Sequence, residues 1–254
     1  MTITQPLPIH HKLYASGPHP KEPPLVLVHG AGGDLMQWPT GLRRLAGRVV
    51  YALDLPGHGK SGGEALAEVG AYAQALREWA EGLALPPFVL VGHSMGGAIA
   101  LEFSLRCGDR LAGLVLISTG ARLRVAPQIL TGIKADHKGT VDLLISWMYG
   151  ASADPNLLRL GTRRLGMVRP EVLLADFAAC NAFDRRADVA RITTPTAVIC
   201  GDADVMTPLK SSQYLHEQIA GSQLVVIPGA GHMAVLEQPA KVAHAIDAFV
   251  EGLS

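Results

Sequence analysis

Six short apolar segments constrain the fold of this 254-residue chain more than any other feature of its sequence. Each ends in glycine or a polar residue, and they lie at 23–30, 48–57, 87–94, 111–119, 195–202 and 222–231. Segments that are apolar throughout, without alternation, are typical of strands covered by helices on both faces. The sequence therefore predicts an α/β fold built on a mostly parallel, doubly wound sheet.

The segments in between complete this prediction. Helices are expected at 64–82, 94–107, 208–220 and 238–252, and an additional edge strand near 11–15. Residues 121–191 break the rhythm, because they contain no convincing strand and several helix-like stretches punctuated by glycine and proline. A structureless loop of this length is implausible in a compact domain. We therefore expect a core made of 1–120 and 192–254, with 121–191 forming a helical cap over the carboxyl ends of the strands, where open α/β sheets bind ligands.

Composition and charge narrow the class of partner. The chain is 48% hydrophobic and carries 22 basic and 22 acidic residues, which fits one globular unit and not a nucleic-acid-binding surface. Its apolar runs are too short to cross a bilayer, and its N-terminus lacks the apolar region of a signal peptide. Three widely spaced cysteines without a CxxC pair indicate neither a disulfide framework nor a zinc site. We expect a cytoplasmic protein that acts on a small molecule, without nucleic-acid or membrane partners; the sequence leaves its oligomeric state open.

The clearest chemical signal is Gly92-His93-Ser94-Met95-Gly96, which joins an apolar strand-like run to a helix-like segment. A serine in a sharp strand-to-helix turn projects its hydroxyl from the end of the sheet, and the flanking glycines let strand and helix approach closely. The pattern is weak by itself, because a structural serine in a tight turn would share it. Ser94 is a candidate nucleophile that needs partners elsewhere in the chain.

Three further motifs occur in order around this turn. They are His29-Gly30-Ala31-Gly32-Gly33, Asp54-Leu55-Pro56-Gly57-His58-Gly59-Lys60-Ser61, and the late pair Gly201-Asp202-Ala203-Asp204 and Gly231-His232. With them the chain resembles the α/β-hydrolase superfamily from about residue 23 to its C-terminus, in particular carboxylesterase-like members with a helical cap. The resemblance implies a cap inserted after the sixth strand and a catalytic triad in the chain order Ser, acid, His, with no cofactor and no metal.

The resemblance assigns Ser94 as the nucleophile and His232 as the general base. A serine hydroxyl is a poor nucleophile at neutral pH and needs such a base, which in turn needs a carboxylate to fix its tautomer. The family pattern Gly-x-x-Asp, followed four residues later by proline, falls on Asp204. It favours Asp204 over Asp202, which we expect to shape the loop by bonding nearby backbone N–H groups.

Backbone amides supply the remaining part of the expected site. The N–H of Met95, directly after the nucleophile, and by resemblance the N–H of Ala31 would form the oxyanion hole. The glycine-rich loop around Ala31 lacks the spacing of a nucleotide-phosphate cradle. We expect His29 and His58 to hold loop conformations by hydrogen bonding, with contact to substrate as the alternative for either, and His93 to be structural.

The stretch 141–149 contains only two polar residues, so most of a helix there must be covered. This helix either packs on its neighbours or forms a wall of a substrate pocket, and the two roles are compatible. Trp147 and Met148 are the candidate pocket residues. Residues 121–191 also carry more Lys and Arg than Asp and Glu. Such charged residues commonly lie on a solvent-exposed face. An Arg whose side chain points into the pocket could instead select esters that bear a carboxylate, and the sequence leaves these alternatives open.

The predicted function is that of a serine hydrolase, a carboxylesterase that uses water to cleave small, mostly apolar esters through an acyl-enzyme intermediate. The same triad also serves carbon–carbon bond hydrolysis of the meta-cleavage type, lactone opening and perhydrolysis, so these stay open as alternatives. A haloalkane dehalogenase or epoxide hydrolase of this fold would carry Asp in place of Ser94. A different class, a small-molecule receptor with a hydrolase-like pocket, would fail to turn over simple aryl esters.

Overall fold

A mixed sheet of seven strands organises the computed structural model, which describes residues 9–15, 17 and 21–253. The strands are β1 (His11–Ala15), β2 (Lys21–Val28), β3 (Arg48–Leu53), β4 (Phe88–His93), β5 (Leu111–Ile117), β6 (Thr196–Gly201) and β7 (Gln223–Ile227). Their order is β1-β3-β2-β4-β5-β6-β7, with β1 antiparallel to β3 and every other neighbouring pair parallel. The predicted fold class and the predicted edge strand are confirmed.

Ten α-helices connect and cover these strands in the described part of the chain. They are α1 (Thr40–Arg43), α2 (Val69–Gly82), α3 (Met95–Cys107), α4 (Pro127–Ala135), α5 (His137–Met148), α6 (Pro155–Gly166), α7 (Pro170–Ala182), α8 (Leu209–Gln218), α9 (Ala234–Glu237) and α10 (Pro239–Glu251). Helix α2 begins five residues later than predicted. The preceding residues lie in a loop against Gly57, where the backbone of Ala65 occupies the space that a Cβ would need.

Two apolar clusters, one on each face of the sheet, explain why the strand sequences do not alternate. In β2, Val26 and Val28 join the cluster that includes α2 and α3, whereas Leu25 and Leu27 join the cluster that includes α1 and α10. All four side chains are buried. Since successive side chains of a strand point to opposite faces, a strand covered on both sides must be apolar at every position.

The segment between β5 and β6, residues 121–191, is called the helical segment below. It contains α4 to α7 and no strand among its residues, all of which the structure describes. Pro127, Pro155 and Pro170 occupy the first position of three of these helices, where the missing N–H costs nothing. The segment has its own apolar cluster, formed mainly by side chains of α4, α5 and α7.

The position of the helical segment in the strand order differs from expectation. It follows β5, the fifth strand among the described residues, and not the sixth. The number six came from the resemblance, whereas the apolar runs of this chain place only four strong strands and one edge strand before residue 121.

Two short stretches, 121–124 and 183–186, lie side by side where the chain enters and leaves the helical segment; they are called the neck below. Arg122 and Asp184 form an antiparallel bridge, and the Arg185 amide donates to the Ala121 carbonyl at 2.7 Å. The guanidinium of Arg185 also donates to Glu102 on α3 at 2.6 Å. The neck therefore fixes the helical segment to the helix that begins directly after Ser94.

In the described ranges, no helix is both long enough and apolar enough to pass through a membrane. Over the same ranges, no group of three His, Cys, Asp or Glu side chains is arranged to hold a metal ion. Cys107, Cys180 and Cys200 are buried and free.

Candidate active site

Ser94 lies in the turn between β4 and α3 with a backbone conformation that few non-glycine residues adopt. Its φ is 54° and its ψ is −117°, and its amide donates to the Ile117 carbonyl at 2.9 Å. A Cβ at Gly92 would meet the carbonyl oxygen of Gly96, and one at Gly96 would meet that of Val28. Only glycines allow β4 and α3 to approach this closely, and their packing stabilises the strained turn that presents the half-buried serine.

The loops after β6 and β7 bring Asp204 and His232 together. His232 Nδ1 lies 2.9 Å from Asp204 Oδ2, and both residues are buried. The carboxylate also accepts hydrogen bonds from the amides of Met206 and Thr207, each at 2.9 Å, and from the Thr207 hydroxyl at 2.7 Å. Burial raises the pKa of Asp204, but attraction to His232 and these hydrogen bonds outweigh it, so the pKa lies below its usual value. An ionised Asp204 holds the Nδ1–H tautomer of His232 and leaves Nε2 as the proton acceptor.

Ser94 and His232 line one cavity of about 600 Å³. In the part of the chain that the structure describes, their side chains make no direct hydrogen bond to each other, as is common before a substrate binds. Asp202 faces elsewhere and accepts a hydrogen bond from the Gly229 amide at 2.6 Å.

Among the amides of residues 30–33, in the loop that follows β2, one is available. The Gly30 amide donates to Gln37 at 3.2 Å, the Gly32 amide to Asp176 at 2.7 Å and the Gly33 amide to the Gly30 carbonyl at 3.0 Å. Among the described residues, the amide of Ala31 has no protein acceptor, and neither does the amide of Met95 at the start of α3. These are the two donors expected for an oxyanion hole, and both are free to bind a ligand oxygen.

Sequence reasoning missed Gln37, which connects this loop to the base. Its Oε1 accepts from the Gly30 amide, and its Nε2 lies 2.7 Å from Nδ1 of His93. His93 Nε2 donates to the carbonyl of His232 at 2.8 Å. Burial, and then repulsion from His232, lower the pKa of His93 to about 3, so the ring is neutral and Nδ1 accepts from Gln37. His93 thus holds loop positions, as expected for it.

Sequence reasoning also missed Asp176, a fully buried carboxylate on α7. It accepts from the Gly32 amide at 2.7 Å, from the Tyr72 hydroxyl at 2.8 Å and from His58 Nε2 at 2.8 Å. Burying a carboxylate without hydrogen-bond partners costs considerable free energy. Three donors that converge on the Asp176 carboxylate therefore indicate a fixed junction between the elements that carry them. A lone Asp within the apolar stretch 172–180 of α7 was the signal that could have found it.

Both ring nitrogens of His58 face oxygen acceptors. Its Nδ1 lies 2.9 Å from the Pro56 carbonyl and its Nε2 lies 2.8 Å from Asp176, and a carbonyl and a carboxylate can only accept. Burial lowers the pKa of His58, but the hydrogen bond with Asp176 and attraction to that carboxylate outweigh it, so the pKa lies above its usual value. This pair ties the turn at 54–61 to the helical segment.

The end of α5 contacts the loop that carries His232. The Met233 amide donates to the Met148 carbonyl at 3.0 Å, and Glu237 accepts from the amides of Gly150 at 3.0 Å and Gly231 at 3.1 Å. Met148 lines a second cavity of about 550 Å³ together with Ala31. Trp147 lines neither cavity and packs in the apolar cluster of the helical segment. The structure therefore separates the two residues that were predicted as a pair.

A family model described as "Alpha/beta hydrolase family" matches residues 25–245. The chain belongs to the alpha/beta hydrolase family. A pimeloyl-[acyl-carrier protein] methyl ester esterase of Neisseria meningitidis serogroup C is 28% identical, over 89% of this chain and 93% of its own length. As an alpha/beta hydrolase with esterase relatives, the protein is expected to be an enzyme that performs hydrolysis.

Solved structures of this family superpose over nearly the whole chain. One described as a thermophilic esterase has a TM-score of 0.84 and 32% identity, and covers 97% of this chain and 99% of its own. An enol-lactonase from Burkholderia xenovorans LB400 has a TM-score of 0.88 at 21% identity, with 96% of each chain covered. The second likeness bears on the fold alone.

Proposed function

We propose that this alpha/beta hydrolase is a serine carboxylesterase whose triad is Ser94, Asp204 and His232. One observation carries the proposal: Ser94, in a strained turn, shares a cavity with a histidine whose Nδ1 is fixed by a buried aspartate. A serine without an orienting acid and base would be a structural hydroxyl, whereas this set matches the requirements of covalent acyl transfer.

The reaction proceeds in two halves. His232 Nε2 takes the proton of Ser94 as its Oγ attacks the ester carbonyl, and the amides of Ala31 and Met95 stabilise the oxyanion. The protonated His232 gives its proton to the departing alcohol, which leaves an acyl group on Ser94. Water, deprotonated by the same nitrogen, then attacks the acyl-enzyme, and collapse returns the proton to Ser94 and releases the acid.

Residues 121–191 act in this proposal as a cap over the site. Met148 and Ala31 line the same cavity, whose other walls include Leu157, Leu165 and Val172. This supports a compact, largely apolar place for one part of the substrate. Carbon–carbon bond, lactone and peracid chemistry use the same triad and are separated from ester hydrolysis by substrate tests alone.

Covalent labelling tests the proposal. A fluorophosphonate probe is expected to modify the peptide that contains Ser94, and Ser94→Ala is expected to abolish both labelling and turnover of p-nitrophenyl esters, because the substitution removes the hydroxyl that His232 activates in this proposal. Ser211→Ala, which removes another hydroxyl from the same cavity, is the matched control and should be labelled as the wild type is. Labelling at another residue, or an active Ser94→Ala variant, would refute the mechanism.

A substrate panel identifies the reaction. Simple aryl esters are expected to turn over faster than a lactone or a vinylogous diketone. An intact triad that is labelled but turns over none of the three would instead favour a small-molecule receptor.

A further inference from the structure

The cavity that contains Ser94 and His232 is lined by charges of one sign. Its charged lining residues are Arg122, Arg124, Arg186 and Lys210, with no carboxylate among the described residues that line it. The chain as a whole carries 22 basic and 22 acidic residues. The cations at this cavity are therefore a local concentration and not a reflection of a basic protein.

The neck places three of these cations, Arg122, Arg124 and Arg186, and the start of α8 places Lys210. Asp184 is shared between Arg186 at 2.7 Å and Arg122 at 3.6 Å, so one carboxylate serves two guanidinium groups. The hydrogen bond from Arg186, together with the positive charge of both arginines, lowers the pKa of Asp184 to about 2. Arg124 and Lys210 make no ion pair with any residue that the structure describes. A positive potential thus remains at the cavity even after the partner of Arg122 and Arg186 is counted.

The second cavity has a different character. Methionine, leucine and valine side chains are the largest group in its lining, and it also contains two arginines. Arg164 is held by Asp34 at 2.6 Å, whereas Arg169 makes no ion pair with any residue that the structure describes. The apolar part of a substrate fits there, next to the free amide of Ala31. The two sides of the site therefore differ: one is mainly apolar with a single unpaired arginine, and the other carries four cations and no carboxylate among its described lining residues.

We infer that the natural substrate is an ester that carries an anionic group, a carboxylate or a phosphate, which binds among Arg122, Arg124, Arg186 and Lys210 while the ester carbonyl lies at Ser94. The inference rests on the proposed function and names the substrate class of the same site. Arginine and lysine recognise anionic oxygens by charge-assisted hydrogen bonds. Because these cations stay hydrated until the anion binds, leaving them without an anionic partner costs little free energy. This answers the question that the basic composition of residues 121–191 left open.

Matched esters test the inference. The mono-p-nitrophenyl ester of adipic acid is compared with p-nitrophenyl hexanoate, which has a methyl group in place of the carboxylate, and with p-nitrophenyl 5-phosphonopentanoate, which has a phosphonate in that place. We expect the anionic group to form about two exposed ion pairs with these cations. At low salt this corresponds to a kcat/KM about tenfold higher for the anionic esters than for the neutral ester. In 0.5 M NaCl, where the electrostatic screening length is about 4 Å, the ratio of kcat/KM between the anionic and neutral esters should fall toward one. Whichever anion gains more identifies the group that the cations prefer.

A pair of double variants separates local binding from net charge. Arg124→Gln with Lys210→Gln is expected to reduce the ratio of kcat/KM between the anionic and neutral esters to near one. The control, Arg77→Gln with Lys138→Gln, removes the same charge from two exposed residues paired to Glu81 and Asp142, and should keep the ratio. A wild-type ratio near one, or an equal fall in both double variants, would overturn the inference.

Binding to Ser94→Ala keeps this test independent of turnover. Calorimetry is expected to give a dissociation constant several-fold smaller for the anionic ester than for the neutral ester. If the wild type hydrolyses neither ester but Ser94→Ala shows this preference, the proposed function fails and the anion site stands. If both esters are hydrolysed equally and bind equally, the proposed function stands and the anion site fails.

Discussion

Asp202 and Asp204 lie two residues apart on the loop after β6, yet they contact different partners. Asp204 contacts His232 and is buried, whereas Asp202 contacts the amide of Gly229 and is exposed. The first contact fixes the tautomer of a ring, and the second shapes a turn. At the scale of single residues, chemistry depends on which carboxylate the backbone turns inward.

Exchanging each aspartate for asparagine separates these roles. Asp204→Asn is expected to reduce kcat by roughly 10⁴-fold, the size of the equivalent change in serine proteases, because asparagine stabilises the wrong histidine tautomer. Asp202→Asn keeps an oxygen that can accept from Gly229, so kcat should change by less than about tenfold. Steady-state kinetics measure both, with circular dichroism to verify folding. If Asp202→Asn were the more damaging change, the acid would have to be reassigned.

The sequence could indicate residues that belong to local patterns but not those defined by long-range contacts. Ser94 and Asp204 stand within short motifs with fixed spacing, so they were predicted. Gln37 and Asp176 bond to residues far away in the chain, His93 in one case and Gly32 in the other. A lone Asp in an apolar stretch can mark Asp176 by itself, but no local pattern identifies its partner, because the fold alone brings the two together.

Helix α5 illustrates what changes at the scale of an element. Trp147 and Met148 are adjacent in sequence, but neighbouring residues of a helix point about 100° apart, and only Met148 lines a cavity. The sequence identified a helix that had to be covered on most sides without indicating which residue faces the site. The rotation of a helix about its own axis is decided by packing, here by the cluster shared with α4 and α7.

Shortening each residue in turn tests this orientation. Met148→Ala is expected to shift the optimum of kcat/KM for p-nitrophenyl esters toward longer acyl chains, by about 0.8 kcal/mol for each additional buried methylene. Trp147→Ala is the matched control: it should lower the midpoint of thermal unfolding and leave the chain-length optimum in place. A shift in the Trp147→Ala variant alone would mean that the wall of the acyl site lies elsewhere.

At the scale of the whole molecule, the buried pair of His58 and Asp176 connects the turn at 54–61 of the core to α7 of the helical segment. A histidine whose pKa is raised in the folded state stabilises fully below its unfolded pKa, roughly 6.5, and that stabilisation is lost as the pH rises through the folded value. The rings and carboxylates around it, His29, Asp54 and Tyr72, are part of the same buried junction.

The pH dependence of unfolding reports this pair. For the wild type, the free energy of unfolding should fall above about pH 6.5, with a slope of up to about 1.4 kcal/mol per pH unit for one proton. Asp176→Asn removes the charge that raises the His58 pKa, so this fall should flatten. Tyr72→Phe removes a different hydrogen bond to Asp176 and should lower the curve without changing its slope. Urea unfolding between pH 6 and 9 measures all three, and parallel wild-type and Asp176→Asn curves would contradict the assignment.

Topology at this scale was predictable because it follows from runs of apolar residues that must be buried on both sides of a sheet. The position of the helical segment after β5 was not, since the expected strand count came from other chains and not from this one. The partition of apolar and cationic surfaces between two cavities was also beyond the sequence. It arises from the neck, which pairs residues 62 positions apart, Arg122 with Asp184.

The helical segment accepts a hydrogen bond from the Gly32 amide through Asp176 and another from the Met233 amide through the Met148 carbonyl. Gly32 and Met233 are the neighbours of the proposed oxyanion donor, Ala31, and of the proposed base, His232. If the helical segment lifted as a lid to admit substrate, both of these hydrogen bonds would break. The loops that position the proposed oxyanion donor and the proposed base would then lose their support. Molecules must then arrive through openings that already exist, one at a time and from solution. Contact with the surface of an oil droplet should therefore not activate this enzyme. Its hydrolysis rate should depend on the concentration of dissolved ester alone, with no sudden increase at the concentration where the ester begins to separate from water.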